Sequence, residues 1–145
     1  MILPDSNLLI YAHMEQAKAH AAAKSWWESA VNSGAAIGLT WTTILGFLRL
    51  TTRRVVYQPP LTISQAEQHI AAIFTQPNIR IVEPGQRHAA LLFQLLREAG
   101  IAGDLTTGAH LAAVALEWNA TVYSADADFA RWPAVKFVNP LAVSR

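Results

Sequence analysis

The chain opens Met1-Ile-Leu-Pro-Asp5-Ser-Asn7-Leu-Leu-Ile-Tyr-Ala12, a strand pattern that passes directly into a helix pattern. Three apolar residues run through Pro4 into Asp5, and from Ser6 onward Leu8, Leu9 and Tyr11-Ala12 recur at helical spacing. A strand that ends in a carboxylate and turns at once into a helix belongs to an open α/β sheet, where ligands sit outside the carboxyl ends of the strands. Asp5 then has two readings. It is either an acid facing a site or an N-cap that satisfies the first free N–H groups of a helix. A second acidic turn far downstream, Tyr123-Ser-Ala-Asp126-Ala-Asp128-Phe129, also follows a short apolar run and favours the first reading.

Working outward, the apolar spacing predicts helices over 6–14, 17–32, 40–52, 86–99 and 105–118, with Gly34 and Gly100 as stops. Ser64-Gln-Ala-Glu67 has capping-box spacing and predicts a further helix through Ile73. Short apolar runs at 35–39, 79–82, 121–123 and 136–138 read as the remaining strands. Gln58-Pro-Pro60 breaks the chain into a loop. Strands alternating with helices imply an α/β fold, an α/β/α sandwich around a mainly parallel sheet of about five strands.

With 145 residues, 52% of them hydrophobic, the chain has the size of one domain, 1–145, with a buried core. It contains no cysteine, which excludes disulfides, zinc-thiolate sites and thiol nucleophiles and leaves hard oxygen ligands as the plausible metal chemistry. No charged leader precedes a long apolar run, so a cytoplasmic location without a membrane span is expected. The formal net charge of +1 is not the broad basic excess of a duplex-DNA binder, so any nucleic-acid contact is local.

Among ten acidic residues, Asp5, Asp126 and Asp128 stand where a strand gives way to a turn, and Asp104 stands at the start of the helix feeding the fourth strand. Should Asp5 and Asp126 end neighbouring parallel strands, two carboxylates about 5 Å apart would repel by roughly 3 kcal/mol at an effective dielectric near 20. A divalent ion answers this. Mg2+ or Mn2+ accepts one or two carboxylates, keeps its waters and shares its other positions with phosphate oxygens. Such an ion activates water for attack on a phosphodiester. The plainer reading is that all four acids are caps and solvated charges, and Asp128 in particular fits a cap of the short turn that Phe129 anchors.

Arg49 is the basic residue placed near such a site, since a guanidinium offers phosphate a bidentate fork. Arg53 shares its helix face one turn on, where it reads as a solvated charge. The five histidines, His13, His20, His69, His88 and His110, are scattered without metal-ligand spacing and read as structural, His110 being the one that also fits a site-facing position. Trp26 and Trp41 fit either a core or a base-stacking role.

Four segments in order, Pro4-Asp5-Ser-Asn7-Leu-Leu-Ile-Tyr-Ala12, Gly46-Phe-Leu-Arg49-Leu-Thr-Thr52, Gly103-Asp-Leu-Thr-Thr-Gly-Ala-His-Leu-Ala-Ala113 and Ser124-Ala-Asp126-Ala-Asp128-Phe-Ala-Arg131, together resemble the PIN-domain toxins of VapBC toxin–antitoxin modules. The resemblance covers nearly the whole chain. It implies a Mg2+- or Mn2+-dependent endoribonuclease acting on structured or single-stranded RNA. It also implies a homodimer and a VapB-type antitoxin that inserts a segment into the acidic cleft, forming a hetero-oligomer. Position by position, Asp5 matches the family's first acid, Asp126 the acid after the fourth strand, and Asn7 a polar residue that holds the first turn.

The expected metal set is thus Asp5 and Asp126, aided by Asp104 and Asp128, with Asp5, Asp126, Asp104 and Arg49 as the catalytic group. Two positions depart from the pattern: Gly46 stands where many PIN domains carry a glutamate, and Gly108 stands where the family's Leu-Thr-Thr-Asp-Ala motif carries a principal metal ligand. Asp104, four residues before Gly108, lies on the same helical face and substitutes only in part. A PIN domain without activity that still binds its antitoxin or RNA is therefore the competing expectation. A response-regulator receiver also clusters acids at strand ends, but it needs an aspartate after the central strand, where this chain has Glu83-Pro84.

Overall fold

The computed structural model describes residues 1–142, and the expected domain 1–145 therefore reaches into residues that lie outside the described ones. Chain order is β1 (Ile2–Pro4), α1 (Ser6–His13), α2 (His20–Asn32), β2 (Ile37–Leu39), α3 (Trp41–Thr51), α4 (Ile63–Phe74), β3 (Ile79–Ile81), α5 (His88–Ala99), α6 (Thr106–Trp118), β4 (Thr121–Tyr123) and β5 (Phe137–Val138). The five strands form one sheet in the order β3-β2-β1-β4-β5, and every pairing is parallel. The expected α/β/α sandwich is what the chain forms.

Side chains of alternate residues in a strand point to opposite faces, and the two cores follow from that period. Leu3 and Val122 enter one core with Leu95 of α5, Leu111 and Val114 of α6, and Trp132. Ile37, Leu39 and Ile79 enter the other with Leu9, Trp27, Ile44, Phe47 and Ile73 from α1 to α4. At Gly38, between Ile37 and Leu39, a Cβ would come within 2.9 Å of Met1 Sδ and 3.0 Å of both Val82 methyls. We expect Gly38→Ala to cost about 1–3 kcal/mol through overpacking, read as a lower urea midpoint with an unchanged slope.

The strand order places β1 at the centre with β2 and β4 beside it, so the loops after β1 and β4 meet at one edge. The Asp5 N–H donates to the Tyr123 carbonyl at 2.9 Å, which carries the β1–β4 pairing one residue past the strand. On the other side Thr40 caps α3, accepting from the Thr43 N–H at 3.2 Å, and the Thr43 hydroxyl donates to the Pro4 carbonyl at 3.1 Å. Both polar groups are buried, and each is satisfied.

Several boundaries differ from the sequence expectations. The capping box is Thr62 with Gln65, not Ser64 with Glu67: Thr62 Oγ1 accepts from the Gln65 N–H and Gln65 Oε1 accepts from the Thr62 N–H. Both tetrapeptides have the right spacing, and the helix starts where Thr62 keeps extended backbone, φ −73° and ψ 163°. α2 begins at His20 rather than Ala17, because residues 15–19 form turns. Asp104 sits in a 3-10 turn, Gly103–Leu105, that precedes α6.

Candidate active site

Asp5 is the N-cap of α1, and its second carboxylate oxygen reaches across to the turn after β4. Its Oδ1 accepts from the Ser6 N–H at 2.7 Å as the N-cap of α1, while its Oδ2 accepts from the Ser124 hydroxyl at 2.8 Å. Ser124 is fully buried and is the junction of the site. Its Oγ donates to Asp5, accepts from Asn7 Nδ2 at 3.1 Å and accepts from the Asp126 N–H at 3.0 Å. Asn7 closes the ring, since its Oδ1 accepts from the Ala125 N–H at 3.3 Å. Residues separated by 119 positions are thereby held in one network, and the turn that carries Asp126 is fixed to the turn that carries Asp5.

Ser124, which joins the two turns, is a residue that the sequence alone does not single out. Its signal was a serine two residues before Asp126 at a strand end, where a hydroxyl commonly bonds the backbone of the turn it starts. Replacing it by alanine leaves Asn7 Nδ2, the half-buried Asp126 N–H and Asp5 Oδ2 without this partner. We expect Ser124→Ala to lower stability by about 1–3 kcal/mol, measured by chemical denaturation.

A cleft of about 170 Å³ opens beside this network, lined by Asp5, Asp104, Asp126, Asp128, Thr107 and Gly108 over a floor of Phe129 and Trp132. All four expected acids line it. They are not equivalent. Asp126 and Asp128 are exposed, with Asp126 Oδ1 capping the following turn through the Asp128 N–H at 2.9 Å. Asp128 Oδ1 accepts from Arg131 Nη2 at 3.1 Å, so part of its charge is already paired, and the cap expected there belongs to Asp126. Asp104 is exposed at the rim. Phe129 is buried and anchors the acidic turn as expected. Arg49 is exposed in the last turn of α3 and does not line the cleft. Nor does His110, whose Nδ1 shares a 2.9 Å hydrogen bond with His88 Nε2 between α5 and α6.

Burial pushes the Asp5 carboxyl above its ordinary value; hydrogen bonds from the Ser124 hydroxyl and the Ser6 N–H pull it down, and the Asp126 charge raises it again. A carboxyl raised in the folded state makes the fold bind more protons than the unfolded chain. Stability without a cation should then fall as pH climbs from the ordinary value near 3.8 through the raised one. Asp5→Asn should flatten that fall and raise the melting temperature near pH 7 in a chelator, which a thermal series of both proteins checks.

Among the described residues no three histidine, aspartate or glutamate side chains converge closely enough to hold a metal ion between them. The donor set still suits a hard dication, which binds through one or two carboxylates and otherwise keeps water. The two odd glycines differ in their surroundings. A Cβ at Gly46 would lie 2.5 Å from Ser6 Oγ and 3.0 Å from Ser6 Cβ, so a side chain there would require Ser6, at the start of α1, to shift. A Cβ at Gly108 would touch only Phe129 ring carbons at 3.6 and 3.9 Å, an ordinary contact, so the cleft has room for a side chain.

A PIN-domain family model matches residues 2–135. Ribonuclease VapC33 of Mycobacterium tuberculosis is 39% identical over 141 residues, covering 97% of this chain and 99% of the relative. Ribonuclease VapC37 of the same organism is 32% identical over 143 residues, covering 99% of each. The chain therefore belongs to the PIN-domain family and, within it, to the VapC ribonucleases. Solved structures share the fold at low identity. VapBC2 from Rickettsia felis bound to a promoter DNA fragment aligns with a TM-score of 0.68 at 17% identity, over 96% of this chain and 98% of that one. VapC20 of Mycobacterium tuberculosis, a Sarcin-Ricin loop cleaving toxin, aligns with a TM-score of 0.68 at 18% identity, over 90% and 93%.

Proposed function

We propose that the chain is the toxin of a type II toxin–antitoxin pair, an endoribonuclease that cuts RNA phosphodiester bonds with Mg2+ or Mn2+ held in the acidic cleft. The observation that carries this reading is the joining of Asp5 and Asp126 through the buried Ser124 hydroxyl at the carboxyl edge of adjacent strands. Relatives named ribonucleases support it. Asp5 and Asp126 would hold the ion, with Asp104 and Asp128 flanking it. When bound, the ion supplies positive charge and Lewis acidity toward the phosphodiester. Ser124 orients the Asp5 carboxylate and, with Asn7, fixes the backbone of the turn that carries Asp126. Arg49, exposed on α3 outside the cleft, gives a phosphate further along the RNA a bidentate partner.

A cognate VapB-type antitoxin is the proposed partner, in a hetero-oligomer with a homodimer of this chain. An apolar groove of about 590 Å³ between α3 and α4 suits an amphipathic partner segment. Its walls include Trp41 and Ile63, exposed at 54% and 83%. Residues 1–145 are read as one PIN domain working in the cytoplasm; no helix among the described residues is long and apolar enough to cross a membrane.

One observation favours a second reading. Gly108 withholds a carboxylate from a cleft with room for one, and no three acids converge, as a PIN domain that binds antitoxin or RNA without cutting would require. The test is cleavage of a labelled hairpin RNA with Mn2+, with EDTA, and with Mn2+ after adding the antitoxin. The nuclease reading expects cutting only in the first condition. No cutting at any Mn2+ concentration would leave the binding-only reading in its place.

A further inference from the structure

The cleft that would act on RNA is lined by four acids, of which Asp128 alone has a cationic partner among the described residues, Arg131. Phosphates repel carboxylates, so a long polyanion gains nothing in the cleft beyond the one phosphate that an ion holds. Its affinity has to come from another surface. With a chain total of +1, Arg49, Arg53 and Arg54 leave −2 for everything else. We infer, on the ribonuclease reading above, that these three arginines at the end of α3 anchor the RNA backbone, gripping phosphates several nucleotides from the one that is cut.

Three observations carry this. No acid stands between Glu28 and Glu67, and the three arginines are the sole charges in that span, whereas six of the eight other lysines and arginines have an acid within four positions of the chain. All three are exposed, and among the described residues none lies within ion-pair distance of a carboxylate. The segment that presents them is also held in place. The Val56 and Tyr57 N–H groups donate to the Arg53 carbonyl at 3.0 Å, the Leu61 N–H donates to the Thr51 carbonyl at 2.8 Å, and Tyr57 packs against the core under α1 to α4. Guanidiniums on such a frame meet phosphate oxygens with a bidentate fork. Arg53, a solvated charge by its spacing alone, is thus one of three uncompensated cations on one ordered surface. α3 links that surface to the cleft. The Thr43 hydroxyl donates to the carbonyl of Pro4, the residue before Asp5, and Arg49 lies six residues further along α3, about 9 Å of helix rise.

The test is the salt dependence of RNA binding in EDTA, which needs no cleavage and so stands apart from the nuclease reading. A fluorescein-labelled hairpin RNA is titrated by anisotropy across a KCl series. Combining Arg49→Gln, Arg53→Gln and Arg54→Gln should weaken binding at low salt at least about tenfold and reduce the slope of log K against log salt by about 2–3. A control protein with Lys18→Gln, Lys24→Gln and Arg97→Gln has the same net charge and should keep the wild-type slope to within about 1. Equal slope losses in the two triple variants would make net charge the whole effect and overturn the inference. So would an unchanged slope without the three arginines, wild-type binding that appears only with Mn2+, or polyglutamate that displaces the RNA as well as unlabelled RNA does. RNA held by the three arginines but never cut with Mn2+ would remove the nuclease reading and leave the anchor in place.

Discussion

Gly108→Asp should raise Mg2+- or Mn2+-dependent RNA cleavage at least about tenfold, equivalent to about 1.4 kcal/mol of transition-state stabilisation. Residue 108 is the third of α6, and its side chain would enter the cleft that Asp5 and Asp126 line. The fold does not resist the change. Only the Phe129 ring stands within contact range of a new Cβ, and a glycine within a helix is worse than alanine by about 1 kcal/mol. A carboxylate in the first turn also interacts favourably with the helix dipole, by about 0.3–1 kcal/mol. Its repulsion from the existing acids is relieved by the ion, so the gain should grow with metal concentration. Gly108→Ala is the control, since it shares the stability gain and brings no ligand. Identical cleavage by the wild-type and aspartate proteins at every Mn2+ concentration would show that position 108 takes no part in metal-dependent cleavage.

The opposite effect is expected of Asp126→Asn, a loss of about a hundredfold or more in cleavage, because a metal ion's charge stabilisation is worth several kcal/mol. Asparagine keeps the oxygen that caps the Asp128 N–H, and the residue is exposed, so folding should be little altered. Charge and structure are thus separated at one position. Measured in the Gly108→Asp background, where turnover is highest, the loss should appear with both metals. Asp5→Asn should lose activity equally while stabilising the metal-free protein, since its buried charge is removed. A variant that lost activity only in proportion to lost folded protein would assign these acids to scaffolding.

Much of this arrangement is legible in the chain itself. Period-2 and period-3.6 patterns mark where strands yield to helices, and Asp5, Asp126 and Asp128 stand out because each sits at such a change. Periodicity says nothing about which strands are neighbours. That β1 lies beside β4 comes from the sheet, and with it comes the role of Ser124, whose hydroxyl matters only because Asp5 is across the gap. The same holds for His13 and His69: 56 positions apart, they lack any local spacing and meet only because α4 packs near the end of α1. The Thr62 box was hidden for another reason, as two overlapping tetrapeptides satisfy one spacing rule and backbone conformation chooses between them. At Gly46 the motif showed a missing acid, while the close approach of the Ser6 side chain to that position is tertiary.

The most direct measurement is the anomalous diffraction of manganese in crystals of this protein soaked in MnCl2. A peak within about 2.2 Å of carboxylate oxygens from both Asp5 and Asp126 is the expected result. A manganese ion bound elsewhere, or no ion in the cleft at millimolar Mn2+, would contradict the claim that these two acids, joined through Ser124, form the metal-binding heart of the molecule.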